Sequence, residues 1–322
     1  MEINNKFAVG CLVQWYEIEI IEEYVESVKQ ALDQIENKDN IIVDFTLVTN
    51  QDLEKVDESQ ITIDEIITRF EKMIDGFELN VTDELVTIAD YRRWFNDYYC
   101  EKVDVLMWGE TDALIPKQTF IILDNLHTSV KDTTPKYTTF FSTCKMWDDS
   151  WKVLEHPEFT DKPFYDKPEQ FEPDHWWSLR YTMSIDEMNS FNDKIEQLDV
   201  KSLNQHKFNG CGLVFSSEVI KAGVNIPKSV FFVHEDTSFM MMIQKVLGMI
   251  PQYVIKNILL VHNRNHPKKR MYVEGERLDG TMNEKRRSND WYIKANEMSE
   301  KNCYNLFNPN YKSYTWEDVW EK

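Results

Sequence analysis

Residues 103–116 read Val103-Asp-Val-Leu-Met-Trp-Gly-Glu-Thr-Asp-Ala-Leu-Ile-Pro116. Val103, Val105 and Met107, with their neighbours Leu106 and Trp108, read as a buried strand, and Gly109 breaks it. Glu110 and Asp112 follow, one residue apart. In extended backbone, residues i and i+2 share a face, so both carboxylates aim into one small volume at the strand's C-terminal end. Two hard oxygen donors there suit Mg²⁺ or Mn²⁺ carrying a diphosphate, because such ions keep positions open for water and phosphate. The same residues also make an ordinary turn before Pro116. The flanking segments must decide between the two.

Upstream, Phe7 to Val13 is a buried strand. A helical pattern follows, with Ile18, Ile21, Val25, Val28, Ala31, Leu32 and Ile35 on one face. Ile41 to Leu47 is a second strand. Strand, helix and strand with near-continuous apolar strands predict a βαβ unit in a parallel sheet. An amphipathic helix spans 63–74, and an aromatic-rich helix, Ile88 to Tyr99, carries Arg92 and Arg93 into the strand before Glu110. Downstream, 127–200 is broken by Pro135, Pro157, Pro163, Pro168 and Pro173, with Trp147, Trp151, Trp176 and Trp177 between them. The tryptophans cover a core edge or stack on flat ligand faces such as sugar rings. Regularity returns at Gly210-Cys-Gly-Leu-Val-Phe-Ser-Ser-Glu-Val-Ile220, and Val230 to Val233 reads as a strand. Asp236 or Thr237 is placed to cap a Met-rich helix, Ser238 to Leu247. A last strand, Ile255 to Val261, ends at His262, and eight Lys/Arg lie between Arg264 and Arg287. His262 and His266 lack the adjacent Glu of a zincin helix.

A chain of 322 residues with 42% hydrophobic and 13% aromatic content can bury a large core. Its net charge is −20, and from Arg264 onward 12 Lys/Arg stand against 10 Asp/Glu, so the acidic excess lies in the first 263 residues. That surface repels phosphate backbones and speaks against broad nucleic-acid binding. Five scattered cysteines without Cys-x-x-Cys indicate neither a disulfide framework nor a zinc finger, and suit a reducing compartment. The N-terminus lacks a signal-peptide pattern, and the longest apolar run is too short for a bilayer. The expectation is a soluble, cytoplasmic protein with no transmembrane segment.

In order and spacing, these pieces resemble the GT-A glycosyltransferases, in particular the inverting family 2 type. Val13-Gln-Trp-Tyr-Glu-Ile-Glu19 looks like that family's strand-Pro-x-Tyr-Asn-Glu opening, with Gln14 for the proline and Glu17 for the asparagine. Ala89-Asp-Tyr-Arg-Arg-Trp-Phe-Asn96 looks like its Ala-Arg-Asn helix, and Glu110-Thr-Asp112 stands where it has Asp-x-Asp. The stretch from Gly210 and the later Glu235-Asp236 resemble its acceptor-side segment and acidic pair, and His262 the histidine that completes its metal site. The usual second-strand Asp-Asp-Gly-Ser is absent: Asp44 falls inside the strand, and Asn50-Gln-Asp52 beyond it.

The resemblance implies an α/β fold of GT-A type, Rossmann-like, with a mostly parallel sheet, helices on both faces and an aromatic-rich insertion. It divides the chain into a glycosyltransferase domain, 1–270, and a basic loop with a C-terminal tail, 271–322. Within the domain, the donor half is about 1–126, the insertion 127–207 and the acceptor half 208–270. It implies metal-dependent transfer of a sugar from a nucleotide-diphosphate donor, a UDP-sugar foremost, to a hydroxyl of a glycan or other acceptor with inversion. Glu110, Asp112 and His262 would hold Mn²⁺ or Mg²⁺, and Tyr16, Glu17 and Arg93 would join Glu110 and Asp112 on the donor. Asp236 would be the general base, because a helix start stabilises an ionised carboxylate, and Glu235 would orient the acceptor. Asp112 is expected on an exposed loop. The alternatives are a phage-type enzyme acting on a hydroxymethylated DNA base, a nucleotidyltransferase, and a non-catalytic carbohydrate-binding protein on the same fold.

Overall fold

The computed structural model describes residues 1–143 (19, 57 and 60 apart), 184–203, 210–262 and 290–320. The four tryptophans Trp147, Trp151, Trp176 and Trp177, with His266 and the basic segment 264–287, lie outside the described residues.

The βαβ pattern is realised as a parallel sheet. β1 (Phe7–Gln14) is buried along its whole length. Its odd residues Phe7, Val9, Cys11 and Val13 face one core, while Ala8 and Leu12 face another. This is the two-residue period of a strand covered on both sides. α1 (Ile21–Leu32) returns the chain to β2 (Ile41–Val48), which pairs parallel with β1 from Phe7 opposite Ile41. α2 (Ile63–Met73) is closed by a Thr62/Glu65 capping box, and β3 (Asn80–Thr82) adds to β2. α3 (Ile88–Tyr99) starts on a second box, Thr87 with Asp90, and leads into β4 (Val105–Trp108), parallel to β1 on its other side. Reciprocal boxes satisfy N–H groups that the helix itself leaves open.

After the acidic turn come β5 (Ala113–Leu114), α4 (Thr119–Val130), β6 (Thr138–Thr143), α5 (Ile185–Asn192) and β7 (Val200–Ser202). β8 (Val214–Ser216), α6 (Ser217–Lys221), α7 (Glu235–Leu247) and β9 (Gln252–His262) complete the sheet region. The strand order is β3-β2-β1-β4-β8-β6-β9-β5, with β7 also on β9. β8 runs against both β4 and β6, and β6 and β9 are parallel. β5 and β7 run against β9. Six of these nine strands therefore share one direction. α1, α2 and α4 cover one face, and α3, α6 and α7 the other. An α/β architecture with helices on both faces is thus present.

Three local expectations change. Residues 127–207 are not all irregular, because β6 lies inside the sheet between β8 and β9. Residues 230–233 form no ladder: Val230 N donates to Pro227 O at 3.0 Å in a turn. α7 opens at Glu235 rather than Ser238, behind His234 in the left-handed region at φ 67°. A helix not anticipated, α8 (Asp290–Tyr304), fastens this turn: Ser299 Oγ donates to Val233 O at 2.6 Å and Asn302 Nδ2 to Ser229 O at 2.7 Å. A short helix, α9 (Trp316–Trp320), stands where the sequence suggests one. Among the described residues, no helix is long and apolar enough to cross a membrane.

Candidate active site

β4 delivers the acidic turn to the middle of the sheet, at the strand's C-terminal end, where open α/β sheets bind ligands. The chain then doubles back into β5, whose Ala113 pairs with His262 at the end of β9. This two-residue ladder brings a histidine 150 positions away beside the turn. His262 Nε2 lies 3.2 Å from Glu110 Oε2 and 3.2 Å from Asp112 Oδ1. Both carboxylates therefore reach one imidazole nitrogen, but across a turn, in which Ala113 N donates to Glu110 O at 3.1 Å, and not along the extended segment expected. Asp112 is 5% exposed, so it is not the exposed loop residue expected. The strand end and the β5–β9 ladder enclose it.

Arg92 is the cation of the site, and it is 1% exposed. Its guanidinium lies over the Trp108 ring, 4.7 Å from the centroid. Nη2 donates to Glu110 Oε1 at 3.0 Å and Gly210 O at 3.2 Å, and Nη1 pairs with Glu235. One arginine thus joins the acidic turn to the start of α7. Arg93, the residue anticipated here, faces elsewhere: it donates to Ile226 O at 2.9 Å and Val230 O at 2.7 Å, and pairs with Asp90 at 2.8 Å. One helical residue is a rotation of about 100°, so adjacent arginines cannot share a target. The usable signal was the buried i, i+4 row of Arg92 and Asn96, whose amide oxygen accepts from Trp108 Nε1 at 2.9 Å.

The carboxyls around Arg92 differ. Burial pushes Glu110 up, but His262 and Arg92 outweigh it and hold the group below its ordinary range. Burial pushes Glu235 up to about 7 against the pull of Arg92, with Asp236 adding to the rise. Asp236 Oδ1 accepts from Thr237 N at 2.6 Å, while its Oδ2 faces Gly210. Both acids lie in the first turn of α7, where the helix dipole favours negative charge.

Glu17 sits in the turn after β1, accepting from Gln14 N at 3.2 Å and from Thr111 Oγ1 at 3.4 Å, so it touches the acidic turn. Tyr16 is half-buried at the same strand end, its ring 5.6 Å from that of Trp15. Asp44 is buried in β2 and accepts from Tyr91 Oη at 2.9 Å, Tyr99 Oη at 2.8 Å and Thr46 Oγ1 at 2.7 Å. These hydroxyls satisfy a charge that burial would otherwise penalise. Cys211 also joins the site: its sulfur, a Glu110 oxygen and a His262 nitrogen lie within 4.8 Å of one another.

No family model matches the chain, and no curated protein sequence matches it. Among solved structures it is similar to the mannosyltransferase PcManGT from Pyrobaculum calidifontis in complex with GDP-Man and Mn²⁺. That likeness is at 11% identity and TM-score 0.48, over 97% of this chain and 66% of that one, so this chain spans just under two thirds of its length. It is also similar to glucosyl-3-phosphoglycerate synthase from Mycobacterium tuberculosis in complex with Mg²⁺ and UDP, at 10% identity and TM-score 0.43, over 80% of this chain and 72% of that one. Likeness at this level assigns no residue a role.

Proposed function

We propose that the protein is a metal-dependent glycosyltransferase that moves a sugar from a nucleotide-diphosphate donor to an acceptor hydroxyl. The observation that carries this reading is Arg92, whose Nη2 donates to Glu110 beside Asp112 and His262 while its Nη1 pairs with Glu235 at the start of α7. The donor set suits a divalent cation: His262 Nε2 lies 3.2 Å from an oxygen of Glu110 and 3.2 Å from one of Asp112, each close to the roughly 3 Å between neighbouring ligands on an ion at about 2.1 Å. Bound there, a divalent ion supplies Lewis-acid neutralisation of the leaving diphosphate.

Glu110, Asp112 and His262 would hold the ion, which would supply positive charge to the donor's phosphates, and Glu17 braces the turn that carries the two acids. Tyr16 lies beside the donor's base. Arg93 ties the 226–230 segment to α3 and has no donor contact in this reading. Asp236 takes the proton of the acceptor hydroxyl as its oxygen attacks the anomeric carbon, while the bond from that carbon to the diphosphate oxygen breaks on the opposite face. Configuration inverts. Glu235, pinned to Arg92, orients the acceptor rather than receiving its proton.

The test is a donor screen reading released nucleoside diphosphate, with and without Mn²⁺. Release from at least one nucleotide sugar, dependent on the ion and on Asp112, is expected. Ion binding with no turnover on any donor would instead favour a binding protein on this fold.

A further inference from the structure

Two glycines frame a cysteine in Gly210-Cys211-Gly212, and each fits where a side chain would not. Gly212 has φ +66°, the left-handed region that glycine enters without strain. A Cβ there would press on Leu260 of β9, two residues before His262. A Cβ on Gly210 would stand 2.9 Å from Arg92 Nη1. The segment is wedged between the buried arginine and β9, and Cys211 comes to the acidic turn as a result. Its sulfur lies within 4.8 Å of the Glu110 oxygen and the His262 nitrogen. Neighbouring ligands on a tetrahedral ion are roughly 3.6 Å apart when sulfur sits at about 2.3 Å and oxygen or nitrogen at about 2.1 Å, so the three atoms are gathered on the scale of one ion's ligand shell.

We propose that Cys211 is a ligand of the divalent ion, adding a thiolate to the carboxylates of Glu110 and Asp112 and the imidazole of His262. This rests on the ion site of the proposed function and gives it a chemical preference. The thiol proton leaves to solvent on binding. Thiolate is a soft ligand, so the site favours Co²⁺ and Zn²⁺ over Mg²⁺ more strongly than an oxygen-and-nitrogen set does. Cys11 is the control, a second buried thiol within the field of Glu110 and Asp112.

The full chain is titrated with Co²⁺ and with Mg²⁺, without donor, by absorption and calorimetry. The parent should show a thiolate-to-cobalt charge-transfer band that Cys11→Ser keeps and Cys211→Ser loses. Cys211→Ser should also lose at least about 10–100-fold in Co²⁺ affinity, the cost of disturbing even outer partners of a metal, with Mg²⁺ affinity changed far less. Parent protein that binds Co²⁺ without the band overturns the assignment, and this holds even where the serine variant does not fold. A band that survives in Cys211→Ser overturns it too. Co²⁺ binding undiminished in Asp112→Asn sinks the ion site itself, which is a separate failure.

Discussion

The acidic turn after β4 and the acidic start of α7 have nearly the same composition, a glutamate and an aspartate, and both contact Arg92. Their surroundings separate them. At the turn, His262 and Arg92 overcome burial and keep Glu110 ionised. At the helix, burial overcomes Arg92 and lifts Glu235 to about 7. Two glutamates on one arginine are thus pushed in opposite directions by the groups around them. The lesson is that a shared arginine does not equalise its partners.

The comparison breaks most sharply at Asp236. Asp236→Asn keeps shape and helix start but cannot accept a proton, so the turnover number should fall by about 10²–10⁴ with donor affinity nearly unchanged. A near-parental rate, or retained anomeric configuration, returns the pair to a structural role. Removing the cation that both regions share comes next. Arg92→Met leaves the buried Glu235 without its arginine while Glu110 keeps His262, and should cost about 3–5 kcal/mol of stability in urea denaturation. A loss under about 1 kcal/mol would mean that the regions do not depend on it.

On the turn side alone, Asp112→Asn should weaken metal-dependent donor binding by on the order of 100-fold in calorimetry. Unchanged Mn²⁺ and nucleotide affinity would take Asp112 out of the site. The smallest effect sharpens the helix side. Glu235 has a folded value above its ordinary 4.5, so the stability it contributes is full below that pH and is lost as pH rises through about 7. Glu235→Gln lacks this slope. The parent's stability relative to the variant should therefore decline across that window, by at most about 1.4 kcal/mol per pH unit. A flat difference would show that Arg92 keeps Glu235 ionised after all.

Much of this was legible because it is local. The i, i+2 spacing of Glu110 and Asp112, the apolar strands 7–14 and 41–48, and the helix from 88 to 99 each follow from neighbouring residues. What was not legible depends on distant pairing. Nothing near Gln252–His262 announces that its last residue will lie opposite Ala113. Proline spacing hid β6, and a lone cysteine between glycines gave no hint of His262 beside it. Arg92 was missed for Arg93 because a single step along a helix exchanges a buried face for a loop contact.

α8 has a consequence in time. Asn302 and Ser299 hold the turn that leads to Glu235, whereas the turn at Glu110 is followed by β5, which pairs with β9. A ribosome adds about 5–20 residues each second, so several seconds separate the emergence of His262 from that of Asn302. The newborn chain can pair β5 with β9 first, and the turn before Glu235 gains its side-chain anchors only when α8 docks. The two acidic regions therefore become anchored at different times in synthesis.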